Sequence, residues 1–190
     1  MPATLEKVAN SFKAFNFASV DCSKGSVCKD NAVDGKEVLR LYQQDDKSEY
    51  EDFSGEATCD EDCMQLEAMS DFVSEHMPNL VVAVGEPTWN NFLAPAAERP
   101  RVILLSKKQE PTPLLKSVAL RYKDVLMFGL YANPSTQAMA QLQIKKLPQL
   151  MVFFSQNGTA ESLQGFPYQG GFTYEEMTAV IGPQISLVGV

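Results

Sequence analysis

Apolar residues at Leu5, Val8, Ala9, Phe12 and Phe15 recur at helical spacing behind Pro2 and Thr4, so the chain is expected to open on an amphipathic helix. NFASVD follows as an expected strand, and a short helix is expected around Ser26 to Ala32. EVLRLY reads as a second strand with Val38, Leu39 and Leu41 as its apolar positions. The acidic stretch DDKSEYED, Asp45 to Asp52, reads as a solvated loop or turn leading to a weakly periodic strand near Tyr50 to Ser54. MQLEAMSDFVSEH then carries Leu66, Met69, Phe72 and Val73 on one helical side. HMPN marks a boundary, because Pro78 followed by Asn79 favours a turn and a new apolar run starts at once.

From Leu80 onward the pattern alternates: strand VVAV, helix PTWNNFLAPAA, strand RVILLS, helix PLLKSVALRYKD, strand LMFGLY, helix STQAMAQLQ, strand QLMVFF, strand ESLQGFPY and helix TYEEMTAVI. Strands alternating with helices and closing on a hairpin and a helix predict an α/β unit, a mixed sheet covered on both faces. Asn157-Gly158 suits a two-residue hairpin turn between the last two strands, and Asn157 also heads an N-glycosylation sequon. The expected domains are 1-77 and 78-190. An internal repeat links them: NFASVD, AVDGKEVLRLY and FSGEAT align in order with LMFGLY, QIKKLPQLMVFF and YQGGFT.

Composition narrows the function. A chain of 190 residues, 45% hydrophobic and 21% charged, is of ordinary globular type. Twenty-four acidic against sixteen basic residues give a net charge of -8, which disfavours nucleic acid and anionic membrane as partners. The apolar runs LVVAV and QLMVFF are far shorter than the roughly 20 residues that span a bilayer, so no membrane segment is expected in this chain. MPATLEKVANSFKAF has the pattern of a helix and not of a signal peptide.

The order of elements, with Lys-Leu-Pro-Gln-Leu ahead of an apolar strand, resembles the thioredoxin fold over nearly the whole chain. The resemblance implies tandem thioredoxin-like domains, the first incomplete. It implies that Pro148 is the cis proline beside the family's dithiol, with Leu147 presenting its backbone to an extended peptide. The family chemistry needs Cys-x-x-Cys after the second strand, where a helix N-terminus lowers the thiol pKa. In the second unit Lys107 to Thr112 occupy that loop, without sulfur. VILLSKKQEPTPLLKSVALRYKDVLMFGLY is similar to the redox-inactive domains of protein disulfide isomerases and of J-domain/thioredoxin fusion proteins. The peptide-binding surface implied is Lys107, Lys108, Gln109 and Glu110 together with Lys146, Leu147 and Pro148.

By the same resemblance the first unit lacks its first strand, first helix, second strand and dithiol loop, so the chain is expected to be a fragment of a longer protein. Glu37 stands where the second unit has Pro148. All four cysteines lie in this unit. Pairs like Cys22 and Cys28 form a structural disulfide in catalytic disulfide-isomerase domains, against the alternative of two free thiols. Cys59 and Cys63, spaced Cys-x-x-x-Cys, leave open a second disulfide, a metal half-site or a redox pair. The intervening acidic residues oppose thiolate chemistry, and His76 is the only histidine, so a structural bridge is expected and neither a metal nor a cofactor is. An even cysteine count suits an oxidising compartment, and with the resemblance points to the endoplasmic reticulum lumen.

Other residues read as structural: His76 as a helix-end residue, Trp89 as packing, and Arg99, Arg101, Lys107 and Lys108 as charges flanking a buried strand. Three functions follow. The first is a non-catalytic segment of a disulfide-isomerase-like protein that binds unfolded client or scaffolds a catalytic domain, with a J-domain/Hsp70 system reached through a longer parent. The second is a thiol-disulfide oxidoreductase whose Cys-x-x-Cys lies upstream of Met1. The third is a structural interaction module. No redox catalysis is expected of the chain as it stands.

Overall fold

The structure is a computed structural model that describes residues 3–33, 38–42, 49–53, 66–94, 99–155 and 162–187. The chain divides into two compact units, Met1–Met77 and Pro78–Val190.

In the second unit the alternation of strand and helix produces a five-stranded sheet. β3 (Val81–Val84), β4 (Arg101–Ser106), β5 (Met127–Ala132), β6 (Gln149–Ser155) and β7 (Leu163–Pro167) lie in the order β3-β5-β4-β6-β7. β3, β5 and β4 run parallel; β6 and β7 are antiparallel to their neighbours. β4 is buried at every position, as an apolar strand paired on both edges and covered on both faces must be.

The two faces separate by side-chain alternation. Val102 and Leu104 join Phe128, Leu130, Leu150 and Val152 under α5 (Pro113–Arg121) and α7 (Tyr174–Leu187), which add Leu115, Val118, Met177 and Ile181. Ile103 and Leu105 point the other way, to Tyr131, Met151 and Phe153 under α4 (Trp89–Leu93) and α6 (Thr136–Gln141), which supply Phe92, Leu93 and Ala138. α5 starts where Thr112 accepts a hydrogen bond from the Leu115 N–H and Pro113 stands at the first helical position. α6 starts the same way at Ser135, which accepts from the Ala138 N–H. The turn residues Asn157 and Gly158 lie outside the described residues, although β6 and β7 on either side of them are antiparallel.

The first unit is smaller. α1 (Ala3–Ser11) and α3 (Leu66–Glu75) pack through Val8 and Phe12 against Met69, Val73 and Met77, with Leu39, Phe53 and Phe72 beside them. α2 (Val27–Asp30) and an antiparallel pair, β1 (Arg40–Tyr42) with β2 (Tyr50–Asp52), complete the described elements.

Two expectations need correction here. NFASVD forms no strand: residues 16–21 are irregular, and Val20 is 56% exposed. Its counterpart LMFGLY is a strand because it lies between β3 and β4, whereas the described sheet of the first unit consists of β1 and β2 alone. Among the described residues no strand pairs with it, and residues 18–21 are exposed, so backbone groups there turn to water. The acidic run is also not all solvated loop, since Tyr50, Glu51 and Asp52 form β2.

Asp52 takes a two-pronged hydrogen bond from Arg40 at 2.6 and 2.8 Å, and this partner holds the Asp52 carboxyl below the ordinary carboxylate range. The same guanidinium donates to the Asn31 carbonyl and lies 3.7 Å from the Tyr50 ring centre, so it ties the end of α2 to the strand pair. His76 does comparable work at the end of α3. Its Nδ1 bonds the Phe72 carbonyl at 2.7 Å, its Nε2 pairs with Glu51, and its ring packs on Phe72.

The Phe72 carbonyl, and then Glu51, raise the His76 pKa above its ordinary value of 6.5. A raised pKa adds stability that is complete below the unfolded-state value and is lost as pH rises through the folded-state value. We expect the stability of the first unit to fall as pH rises above about 6.5, and His76→Gln to remove that slope; denaturation midpoints across pH, with a histidine proton titration by NMR, check it. In the second unit a Cβ at Gly129 would lie 2.7 Å from Val84 Cγ2 and 3.0 Å from Phe92 Cζ. Gly129→Ala is expected to destabilise it by about 1–3 kcal/mol, read by urea denaturation through Trp89, the single tryptophan.

Candidate functional site

The residues that sequence suggested for peptide contact come from two distant stretches, and strand pairing joins them. β4 ends at Ser106 and β6 begins at Gln149, and the antiparallel register sets Leu105 opposite Gln149. The loop leaving β4, Lys107 to Glu110, therefore stands at the same sheet end as Lys146, Leu147 and Pro148 entering β6.

Each half has a local cause. The Lys108 N–H donates to Ser106 Oγ at 3.0 Å, which turns the chain off the strand and leaves Lys107, Lys108, Gln109 and Glu110 exposed. Leu147 is half-buried against the cluster under α4 and α6, while Lys146 and Pro148 are exposed. The Leu147–Pro148 peptide bond is cis. Gln149 is anchored by its amide, which donates to the carbonyls of Leu150 and Tyr168. The ladder between β4 and β6 stops at Leu105 and Gln149, so Pro148 falls opposite Ser106, the last residue of β4, and the backbone of Lys146 and Leu147 extends past the partner strand.

The same sheet end carries groups that the sequence did not single out together. The loop after β3 holds Glu86, and the loop after β5 holds Ser135, whose hydroxyl donates to the Glu86 carboxylate. Tyr131, at the end of β5, is 5% exposed, and burial first, then the Glu86 charge, push its phenol above its ordinary pKa. Trp89 packs on Tyr131 and Phe153 with ring centres 5.9 and 5.6 Å away, so it does pack as expected. It also lines a cavity of about 240 Å³ with Glu86 and Tyr131. These residues are spread over two loops, a helix and two strands, and in the sequence each passes for ordinary core or surface; a carboxylate just past an apolar strand was the one available signal.

Arg101 is buried at 2% exposure, and its guanidinium donates to the carbonyls of Phe92 and Arg99. It thus fastens the end of α4 to β4 and needs no ligand.

In the first unit Cys22 and Cys28 are joined by a disulfide, with Cα atoms 5.4 Å apart, and Cys28 is buried. Cys59, Cys63 and Glu37 lie outside the described residues, as does Asn157. Among the described residues no three histidine, cysteine or acidic side chains gather as a metal site. No described helix is long and apolar enough to cross a membrane.

No family model matches the chain. A Dictyostelium discoideum protein whose name assigns it to the protein disulfide-isomerases is 22% identical over 160 residues, which cover 80% of this chain and 37% of that protein. The crystal structure of full-length ERdj5 superposes with a TM-score of 0.61 at 16% identity, over 98% of this chain and 27% of that one. A second crystal form of ERdj5, form II, gives 0.61 at 15% identity, over 96% and 24%. The protein has the thioredoxin fold, a mixed sheet with helices on both faces. Within that fold it is similar to the disulfide-isomerase and ERdj5 type, and it spans little more than a third of the former's length and about a quarter of the latter's.

The bridge closes a loop over a sequence separation of 6, short enough that its chain-entropy contribution is about 2 kcal/mol. Cys22→Ser is expected to lower the stability of the first unit by about that amount, measured by denaturation of the unreduced proteins. A thiol count should show the freed Cys28 only after unfolding.

Proposed function

We propose that this chain is a non-catalytic, client-holding segment of a disulfide-isomerase-like protein working in the endoplasmic reticulum lumen. The observation that carries the reading is the sheet end, where Lys107 to Glu110 and Lys146 to Pro148 meet and the backbone before β6 runs past its partner. An extended polypeptide adds to such a backbone through main-chain hydrogen bonds, which are indifferent to its sequence and suit unfolded clients.

Where thioredoxins place a reactive dithiol, this unit has Ser106-Lys-Lys-Gln-Glu-Pro-Thr112, and all four cysteines of the chain lie in the other unit. Thiolate attack needs a sulfur at the binding edge, so the second unit is assigned to holding and not to exchange. The Cys22–Cys28 bridge supports an oxidising compartment. The similarity to ERdj5 and to a protein named as a disulfide-isomerase supports the same setting.

A second reading, a thiol-disulfide oxidoreductase acting through a Cys-x-x-Cys elsewhere in a longer protein, draws on the length relation: the relatives extend well beyond the matched region. In that case this chain presents client to the catalytic domain, and a J-domain/Hsp70 system would act through the same parent.

The test is hydrogen–deuterium exchange of the full chain with and without a reduced, carboxymethylated unfolded polypeptide. Slower exchange at Lys107 to Glu110 and Lys146 to Gln149 is expected on addition of the polypeptide. Protection confined to other segments, or none at saturating polypeptide, overturns the reading.

A further inference from the structure

The cavity beside Trp89 has a chemistry of its own. It lies between α4 and α6 at the ends of β3 and β5, and its volume of about 240 Å³ is right for one long side chain, not a large cofactor. Glu86 is the single charged residue on its lining. That carboxylate receives the hydroxyl of Ser135, and it forms no ion pair among the described residues. Around it stand the rings of Trp89 and Tyr131 and the amides of Asn90, Gln137 and Gln141.

Each component selects for positive charge. A carboxylate offers an anionic acceptor, aromatic rings attract a cation to their faces, and side-chain amide oxygens accept further N–H donors. An anion would meet Glu86 with no lining cation to offset it. A divalent metal needs more oxygen ligands than one carboxylate with amides readily supplies. The net charge of -8 draws cations toward the molecule as a whole.

Sheet order sets the distance to the client edge. The cavity sits at β3 and β5, and Leu147 and Pro148 lead into β6, two strands beyond β5 in the order β3-β5-β4-β6. At about 4.8 Å per strand that is roughly 10 Å, the reach of about three extended residues.

We propose that the Glu86–Trp89–Tyr131 cavity is a specificity pocket for one lysine or arginine side chain of the client. The inference rests on the client-holding reading and adds a sequence preference to it: a basic residue seated here about three residues from the segment lying along Leu147 and Pro148.

Trp89 reports the site directly, because it is the only tryptophan of the chain. The experiment titrates the full protein with acetyl-Ala-Arg-Ala-amide and with the same peptide carrying citrulline, which keeps the arginine shape without its charge. A saturable change in Trp89 fluorescence with the arginine peptide is expected, at least roughly tenfold weaker with citrulline, as loss of a charged hydrogen bond implies. Glu86→Gln is expected to weaken the arginine peptide by a similar factor and to leave the thermal unfolding midpoint unchanged, since Glu86 is exposed. Equal affinity for the two peptides, or no saturable response from the unaltered protein, overturns the pocket; the peptide comparison needs no variant.

The two readings fail separately. Carboxymethylated polypeptide that binds the 146–149 edge with affinity indifferent to Glu86→Gln removes the pocket and leaves the client surface. A charge-selective tripeptide response without any polypeptide binding removes the client surface and confines the cavity to small cations.

Discussion

The second unit depends on one constraint, that β4 has no side open to solvent. Both its edges are hydrogen-bonded, to β5 and β6, and both its faces are covered, so every residue from Arg101 to Ser106 is buried. Burial of this kind requires apolar side chains pointing alternately to two cores and a helical layer over each. Val102 and Leu104 meet one layer, Ile103 and Leu105 the other. Even the single arginine of the strand is taken in, with its guanidinium spent on the carbonyls of Phe92 and Arg99. Once β4 is fixed, the loops at its C-terminal end have fixed neighbours.

Open α/β sheets concentrate binding at the carboxyl ends of their parallel strands because the loops converge there and the strand interiors are filled. Here that end gathers Glu86 after β3, Ser106 and the lysine loop after β4, Tyr131 and Ser135 at β5, and the entry to β6. The charges there are ordered: an acidic cavity at β3 and β5, a basic edge at β4 and β6.

The first unit shows what happens without a buried central strand among its described elements. Its core is a helix pair, Val8 and Phe12 against Met69 and Val73, and its strand pair is held by contacts that are individually small. The Arg40–Asp52 clamp, the His76–Glu51 pair and the Cys22–Cys28 bridge do there what two covered sheet faces do in the second unit. A small unit with a modest core is where cross-links of this kind matter most.

The sequence by itself determined the elements whose pattern is local. Alternation and unbroken apolar runs set β3 to β7, turn and capping residues set the starts of α5 and α6, and Pro78 set the boundary between the units. The Lys-Leu-Pro-Gln-Leu phrase was enough to locate the entry to β6, because a proline followed by an unbroken apolar run marks the start of a strand locally. NFASVD departs from its pattern for the complementary reason: a strand exists only through its neighbours, and its counterpart LMFGLY is a strand between β3 and β4, whereas NFASVD pairs with no strand among the described residues. Only the tertiary structure could bring Glu86 to Trp89 and Tyr131, since the order β3-β5-β4 brings the two β-strand ends together across 45 residues of sequence that separate Glu86 from Tyr131. Periodicity reports which face of an element is buried; what meets at the end of a sheet is decided by the order of its strands.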